Sequence, residues 1–301
     1  MHVPYVTTFV VSEQAEKLSP LLMETLQEKL EAMGANCVSL HWLEPGRACD
    51  IYHGEMPPQP ALRALDAQLQ IECDRVSQST QHRQKKLLVS DMDSTMIHQE
   101  CIDELADYMG IKPKVAAITE RAMNGELEFK AALRERVGLL KGLPKTALQE
   151  VYTSRITAME GAQMLVRTMK KHGAYGLLVS GGFTFFTQRV RMMLGFDEDQ
   201  SNQLLWDGDA LSGKVAEPIL DKESKLQSLL AACAKLEIDT QQAMAVGDGA
   251  NDLPMLQAAG LGVAYRAKPV VQAAASAAIT HGDLSALLYV QGYAKDQWVC
   301  G

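Results

Sequence analysis

Two carboxylates two residues apart, Asp91 and Asp93, stand directly behind a short apolar run, Leu87 to Ser90, in the segment Asp91-Met92-Asp93-Ser94-Thr95. At the end of a strand both can reach one polar pocket, where one attacks phosphorus and the other handles the leaving-group proton. The same residue types also build an ordinary strand-terminal turn with an Asx-type cap. The pair alone does not decide between these readings. Ser180-Gly181-Gly182 follows a second apolar run, Tyr175 to Val179. A hydroxyl and exposed amides at a helix N-terminus cradle phosphate, although a plain glycine-rich turn has the same look. Gly247-Asp248-Gly249-Ala250-Asn251-Asp252 follows a third run, Ala243 to Val246. Asp248 and Asp252, four apart across a helix start, can hold a hard cation through oxygen. N-capping by Asp248 or Asn251 accounts for one acid, less readily for the whole cluster. Lys225 lies on a helical stretch 23 residues before Asp248; taken alone it is a solvated lysine.

The four signals together meet a demanding requirement. Displacement at phosphorus needs a nucleophile, a metal and cations that absorb charge on the equatorial oxygens. Their order resembles that of the haloacid dehalogenase-like superfamily: Asp-x-Asp-x-Thr (Asp91, Asp93, Thr95), then Ser180, then Lys225, then the acidic Asp248 and Asp252. The resemblance covers residues 87 to about 290. It narrows to the phosphoserine phosphatase family through Glu100, Ala122-Met123-Asn124-Gly125 to Phe129, Leu133-Arg134-Glu135-Arg136-Val137 and Ser180-Gly181-Gly182-Phe183.

That resemblance implies Mg²⁺-dependent hydrolysis of O-phospho-L-serine through an aspartyl-phosphate, the last step of serine biosynthesis. It makes Asp91 the nucleophile and Asp93 the general acid that later activates water. Mg²⁺ is held by the Asp91 and Asp248 carboxylates and the Asp93 backbone carbonyl, with Asp252 orienting that coordination. Ser180, the Gly181 amide and Lys225 take the phosphoryl oxygens, and Asn251 helps position substrate. Glu100 suits the ammonium of phosphoserine and Arg136 its carboxylate; Met123 and Phe129 form an apolar lid. Arg134, Glu135 and Arg136 also read as a solvated charged helix face, and the resemblance alone favours Arg136 over Arg134. The alternative is a phosphatase or phosphotransferase of the same fold acting on another small phosphomonoester. An inactive body serving an amino-acid-binding regulatory unit is disfavoured by the complete set Asp91, Asp93, Lys225 and Asp248.

The elements that must position these residues are an α/β arrangement. Leu87 to Ser90, Tyr175 to Val179, Ala243 to Val246 and Leu261 to Tyr265 are short, apolar and abruptly ended, as strands buried on both faces of a parallel sheet are. A Rossmann-like sheet sandwiched by helices places ligands beyond its carboxyl ends. Between the first two runs, Cys101 to Met109, Pro113 to Met123, Glu128 to Leu140 and Lys145 to Thr153 are helix-like, giving a small helical cap at about 101–160. Residues 1–80 form a separate α+β unit and 81–301 the phosphatase body. In the first unit Tyr5 to Val11 is strand-like, and Leu21 to Met33 is a helix entered through Ser19-Pro20. Cys37 to Leu43 and Ala48 to His53 make a hairpin around Pro45-Gly46. Ala61 to Val76 reads as helix and Ser77 to Lys86 as linker. This βαββα order resembles an ACT-like (ferredoxin-like) module lacking its last strand.

Composition narrows the remaining options. With 29 basic and 37 acidic residues the formal charge is −8, which disfavours nucleic acid and anionic membranes as partners. No apolar run nears the roughly 20 residues of a membrane helix, and the N-terminus lacks the pattern of a secretory signal. Six scattered cysteines without a Cys-x-x-Cys pair fit reduced thiols in a cytoplasm rather than zinc or a disulfide framework. Pairing of ACT-like units makes a homodimer the expected assembly. Gly208 to Lys214 has P-loop spacing but ends in Val215 between hairpin-like strands, and Gly247-x-Gly249 lacks a third glycine; neither is a nucleotide site.

Overall fold

The computed structural model describes residues 3–69, 71–123 and 126–299, with the side chain of Met123 also outside the description. The N-terminal unit runs β1 (Tyr5–Val11), α1 (Pro20–Ala32), β2 (Cys37–Glu44), β3 (Ala48–His53), α2 (Gln59–Gln68) and β4 (Cys73–Ser79). Its antiparallel sheet has the order β2-β3-β1-β4. Ser19 caps α1, its hydroxyl accepting from Leu22 N at 3.1 Å.

The expected helix over Ala61 to Val76 is therefore a correction. It stops at Gln68, and residues 73–79 pair with β1 as the last strand of a complete ferredoxin-like βαββαβ unit. The polar character that hid β4 has partners on both faces. Arg75 turns to Asp66 of α2, at 2.6 and 2.8 Å. Asp74 and Gln78 turn the other way, onto the body: Asp74 accepts from the Thr280 and Gly282 amides at 2.8 and 2.7 Å, and Gln78 donates to Val290 O at 2.7 Å.

The body begins with β5 (Leu87–Ser90) and the cap helices α3 (Cys101–Tyr108), α4 (Lys112–Met123), α5 (Phe129–Leu139) and α6 (Lys145–Arg155). There follow α7 (Ala162–Lys171), β6 (Tyr175–Phe183), α8 (Thr184–Leu194), β7 (Glu198–Asn202), an antiparallel hairpin of β8 (Leu204–Asp207) and β9 (Ala210–Val215), and α9 (Lys222–Lys235). The chain then forms β10 (Ala243–Gly247), α10 (Leu253–Ala258), β11 (Leu261–Tyr265), α11 (Pro269–Ala274), β12 (Ala277–Ile279) and α12 (Ala286–Val290). The main sheet has the order β12-β11-β10-β5-β6-β7, with every pairing parallel.

Strand alternation explains why both sheet faces are covered. Leu88, Leu178, Met244 and Val263 pack on one side with α7, α8, α12 and the cap. Leu87, Val89, Leu177, Val179 and Ala245 pack on the other, against Leu229 of α9, Met255 and Leu256 of α10 and Val271 of α11. Strand order reverses at β5, which has β6 on one side and β10 on the other. A crevice opens at the carboxyl ends of strands at such a switch point.

Candidate active site

Three of those strand ends deliver the acids and the hydroxyl. Asp91 N donates to Val246 O at 3.0 Å, so the chain leaving β5 stays in register with β10 for one more residue and brings Asp91 beside the Asp248 loop. Ser94 then takes the left-handed conformation (φ 55°), turning the chain so that its hydroxyl donates to Glu100 Oε1 at 2.8 Å. Thr95, fully buried, donates to Asp248 Oδ1 at 2.8 Å and fixes that carboxylate from the β5 side. Asp93 Oδ1 accepts from Cys101 N, the first amide of α3, at 3.3 Å.

Lys225 is not a surface residue. It is 3% exposed, with Nζ 2.7 Å from Asp91 Oδ2 and 2.6 Å from Asp252 Oδ1. The helix carrying it is set by a capping box: Asp221 accepts from Glu223 N and Ser224 N, and Ser224 Oγ answers Asp221 N. Asp221-x-x-Ser224 was a readable start signal four residues before the lysine. Asp252, fully buried, also accepts from Gly249 N at 3.0 Å. Its approach leaves no room for a side chain at Gly247, where a Cβ would sit 2.4 Å from Asp252 Cγ.

Ser180 and its glycines sit differently from expectation. The strand β6 continues through them to Phe183, and α8 starts only at Thr184. The Gly181 amide is thus on an extended strand end, not at a helix N-terminus. Ser180 Oγ accepts from Gly182 N at 2.8 Å. A Cβ on Gly182 would lie 2.9 Å from both Asp93 Oδ2 and Ser180 Oγ, so glycine there lets the β6 end close on the β5 acids.

One cavity of about 710 Å³ takes in Asp91, Asp93, Glu100, Phe129, Arg136, Ser180, Gly181, Lys225, Asp248 and Asn251. Its roof is the cap. Phe129 lies over the Ser180-Gly181 end, its Cζ 3.6 Å from where a Gly181 Cβ would be. Arg136 reaches in from α5, held by Thr119 Oγ1 and Ala132 O at 3.4 Å each. Arg134 points elsewhere, to Glu217 at 2.7 Å. The expected contact of Met123 falls on a side chain outside the described residues. The sequence had given no sign that Asp103, Thr119, Lys222, Arg266 and Lys268 also line the walls, because isolated polar residues on helices and loops carry no spacing signal.

The electrostatics are lopsided. Carboxylate oxygens of Asp91, Asp248 and Asp252 lie within 4.8 Å of one another, and among the described residues Lys225 is the one cation bonded to any of them. Burial, then the charge of Asp252, pushes Asp91 well above the carboxylate range, with Lys225 pulling the other way. Burial raises Asp248 too, against the hydrogen bond from Thr95. Burial alone would discharge Lys225, but Asp252 and Asp91 hold it firmly protonated. Burial lifts Asp93 to about 6, against its bonds to Cys101. Glu100, open to the cavity but roofed by the cap, is lifted to about 7 by desolvation first and by Asp93 second.

A hard divalent cation fits this donor set. Asp252 accepts at both oxygens, from Lys225 and the Gly249 amide, and Asp91 likewise, from Met92 N and Lys225, while Asp248 accepts from Thr95 at Oδ1. Each carboxylate oxygen has a second lone pair for a cation, and a 2+ charge would offset the surplus that drives Asp91 and Asp248 upward.

The family pattern of haloacid dehalogenase-like hydrolases matches residues 85–260. A phosphoserine phosphatase of Polaromonas is 50% identical over 208 residues, 67% of this chain and 88% of that protein. Among solved structures, a haloacid dehalogenase family hydrolase of Salmonella enterica serovar Typhi superposes with a TM-score of 0.84 at 30% identity, covering 98% of this chain and 99% of the other. A probable phosphoserine phosphatase of Vibrio cholerae superposes with a TM-score of 0.76 at 30% identity, covering 98% and 88%. The chain is a member of the phosphoserine phosphatase family of haloacid dehalogenase-like hydrolases.

Proposed function

We propose that this enzyme hydrolyses O-phospho-L-serine to L-serine and phosphate with Mg²⁺ bound between Asp91, Asp248 and the Asp93 carbonyl. The observation that carries the reading is the single cavity in which an acid from β5, an acid from β10 and a buried lysine meet beneath Glu100 and Arg136. The bound cation supplies positive charge that lets an anionic carboxylate approach an anionic phosphate.

Asp91 attacks phosphorus as the ester P–O bond breaks, forming an aspartyl-phosphate. Asp93 protonates the departing serine oxygen, then takes a proton from the water that attacks the aspartyl-phosphate and releases phosphate. Asp93 Oδ1 is bonded to Cys101 N, which leaves Oδ2 to serve both transfers. Lys225, Ser180 and the Gly181 amide receive charge on the phosphoryl oxygens, while Asn251, at the cavity wall, helps position substrate. Glu100 faces the substrate ammonium and Arg136 its carboxylate. Asp252 holds Lys225 in place, and Phe129 with Met123 excludes water.

This chemistry serves serine synthesis in the cytoplasm. The described cysteines, Cys37, Cys49, Cys73, Cys101 and Cys233, are free thiols, which suits a reducing compartment. Among the described residues no helix is long and apolar enough to cross a membrane. The outermost strand β2 leaves one edge of the N-terminal sheet open, which supports pairing of two copies into a homodimer.

Phosphate release from phosphoserine, phosphothreonine and sugar phosphates, with and without chelator, tests the assignment. Arg136→Ala should cost about 2–5 kcal/mol on phosphoserine and little on an aryl phosphate. Equal losses on both would remove Arg136 from substrate recognition, and a preference for another phosphomonoester would favour the alternative substrate class.

A further inference from the structure

The cap is fastened to the body in two unlike ways. At its root the main chain holds it: Ile97 and Ala158 form an antiparallel bridge, His98 N donates to Thr157 O at 3.2 Å, and Met159 N donates to Met96 O at 3.0 Å. The turn between α5 and α6 is likewise tied by backbone to the β8–β9 hairpin, with Gly142 N to Leu211 O and Leu211 N to Leu143 O both at 2.8 Å. The start of α5, which carries Phe129 over Gly181, is held by side-chain ions instead. Lys130 Nζ lies 2.9 Å from Asp221 Oδ2. One turn on, Arg134 places Nη2 at 2.7 Å and Nε at 3.1 Å from Glu217 Oε1. The i, i+4 spacing puts both cations on one face of α5, and both acceptors lie in the segment that leads into α9 and Lys225.

We propose that Lys130–Asp221 and Arg134–Glu217 form the latch of the cap, holding the start of α5 shut over the phosphate site and releasing it for substrate entry and product exit. The proposal rests on the phosphatase reading, because only a reaction at that site gives the latch something to gate. The strength of the pairs suits the task. Arg134 and Glu217 are about half exposed, at 51% and 58%, and Lys130 and Asp221 at 38% and 22%. Such pairs each shift an equilibrium by only about 2- to 5-fold, so the latch yields in every turnover. Main-chain bonds at the root and at the hairpin let the cap pivot without detaching.

Asp221 also caps α9, so the decisive variants use the other three residues. In the substrate-free enzyme, hydrogen exchange at the start of α5 should accelerate about 2- to 5-fold in Arg134→Gln and in Glu217→Gln. The double variant should be no faster than either single, since each already breaks the pair. Lys130→Gln should accelerate it and Lys130→Arg should not. Unchanged exchange, or additive singles, overturns the latch. Kinetics on phosphoserine separate it from simple attraction of an anionic substrate. A latch raises KM in both Arg134→Gln and Glu217→Gln, by up to about 5-fold, without lowering kcat. Attraction alone predicts that Glu217→Gln lowers KM, and that result also overturns the proposal. If the wild-type enzyme leaves phosphoserine untouched, the substrate assignment fails while the exchange experiment still decides the latch.

Discussion

Arg83 and Lys225 are both cations in the protein interior, and their surroundings balance differently. Arg83, between the N-terminal unit and the body, meets both oxygens of the fully buried Asp50 at 2.7 Å, with Tyr52 and Thr8 at 3.1 and 3.0 Å. Its remaining donors go to the carbonyls of Val290 and Tyr289 at 2.9 and 3.1 Å. One cation faces one anion, and the guanidinium is satisfied. Lys225 instead sits among Asp91, Asp248 and Asp252, three acids against one ammonium. A balanced buried pair is an adhesive between two parts of a fold. A buried surplus of like charge has no structural use and stands as an open demand for a cation.

Substitutions on the two sides should therefore fail in opposite ways. Asp91→Asn should lower phosphoserine turnover by about 10³-fold or more, while the thermal midpoint holds or rises because a repulsive charge is gone. Wild-type-like activity in a clean preparation removes Asp91 from the nucleophile's role. Arg83→Ala leaves the buried Asp50 without its countercharge, with only the Thr8 and Tyr52 hydroxyls bonded to it, and should cost about 3–5 kcal/mol of stability, read by denaturant unfolding. The folded fraction should keep its kcat, and a loss of kcat at full stability would erase the distinction between the two sites. Mg²⁺ at 100 times its dissociation constant should stabilise the wild type by about 2.7 kcal/mol. Asp248→Asn should forfeit most of that gain, and Arg83→Ala should retain it.

The same contrast explains how much the sequence disclosed. The strands β5, β6, β10 and β11 were readable because apolar residues on both faces leave a continuous signature. β4 and β7 were not, since their polar side chains are answered by distant residues. Asp74 is met by the amides of residues 280–282, Glu198 by Tyr175 and Lys235, and Asp199 by Thr187. No local pattern announces such partners. In the site, the acids announced themselves by spacing behind strands, and the structure brings Asp91, Asp248 and Asp252 within 4.8 Å of one another, with Asp91 and Asp252 both bonded to Lys225. The burial of that lysine was invisible, because one lysine on a helix looks the same whether it faces water or two carboxylates. The choice of Arg136 over Arg134 rested on resemblance, and the two side chains do point apart, one into the cavity and one to Glu217.

Lys85 offers the finest version of the comparison, two residues from Arg83. It too is buried, but its ammonium finds a carbonyl, Gln241 O at 2.9 Å, and, among the described residues, no carboxylate. Burial accordingly lowers it to about 8 from the 10.5 of a free lysine. Between those two values the unfolded chain holds a proton that the folded protein has released. Unfolding then takes up a proton, so stability climbs as pH rises through this window and the gain is lost again as pH falls through 8. The informative quantity is a difference between two proteins that share every other titratable group. The thermal midpoint of the wild type minus that of Lys85→Met should rise from pH 7.5 to pH 10, by less than about 4 °C. A flat difference would mean that Lys85 keeps its proton in the fold. A buried cation without a carboxylate would then be as well served as Arg83, and balance of charge would cease to distinguish the two kinds of site.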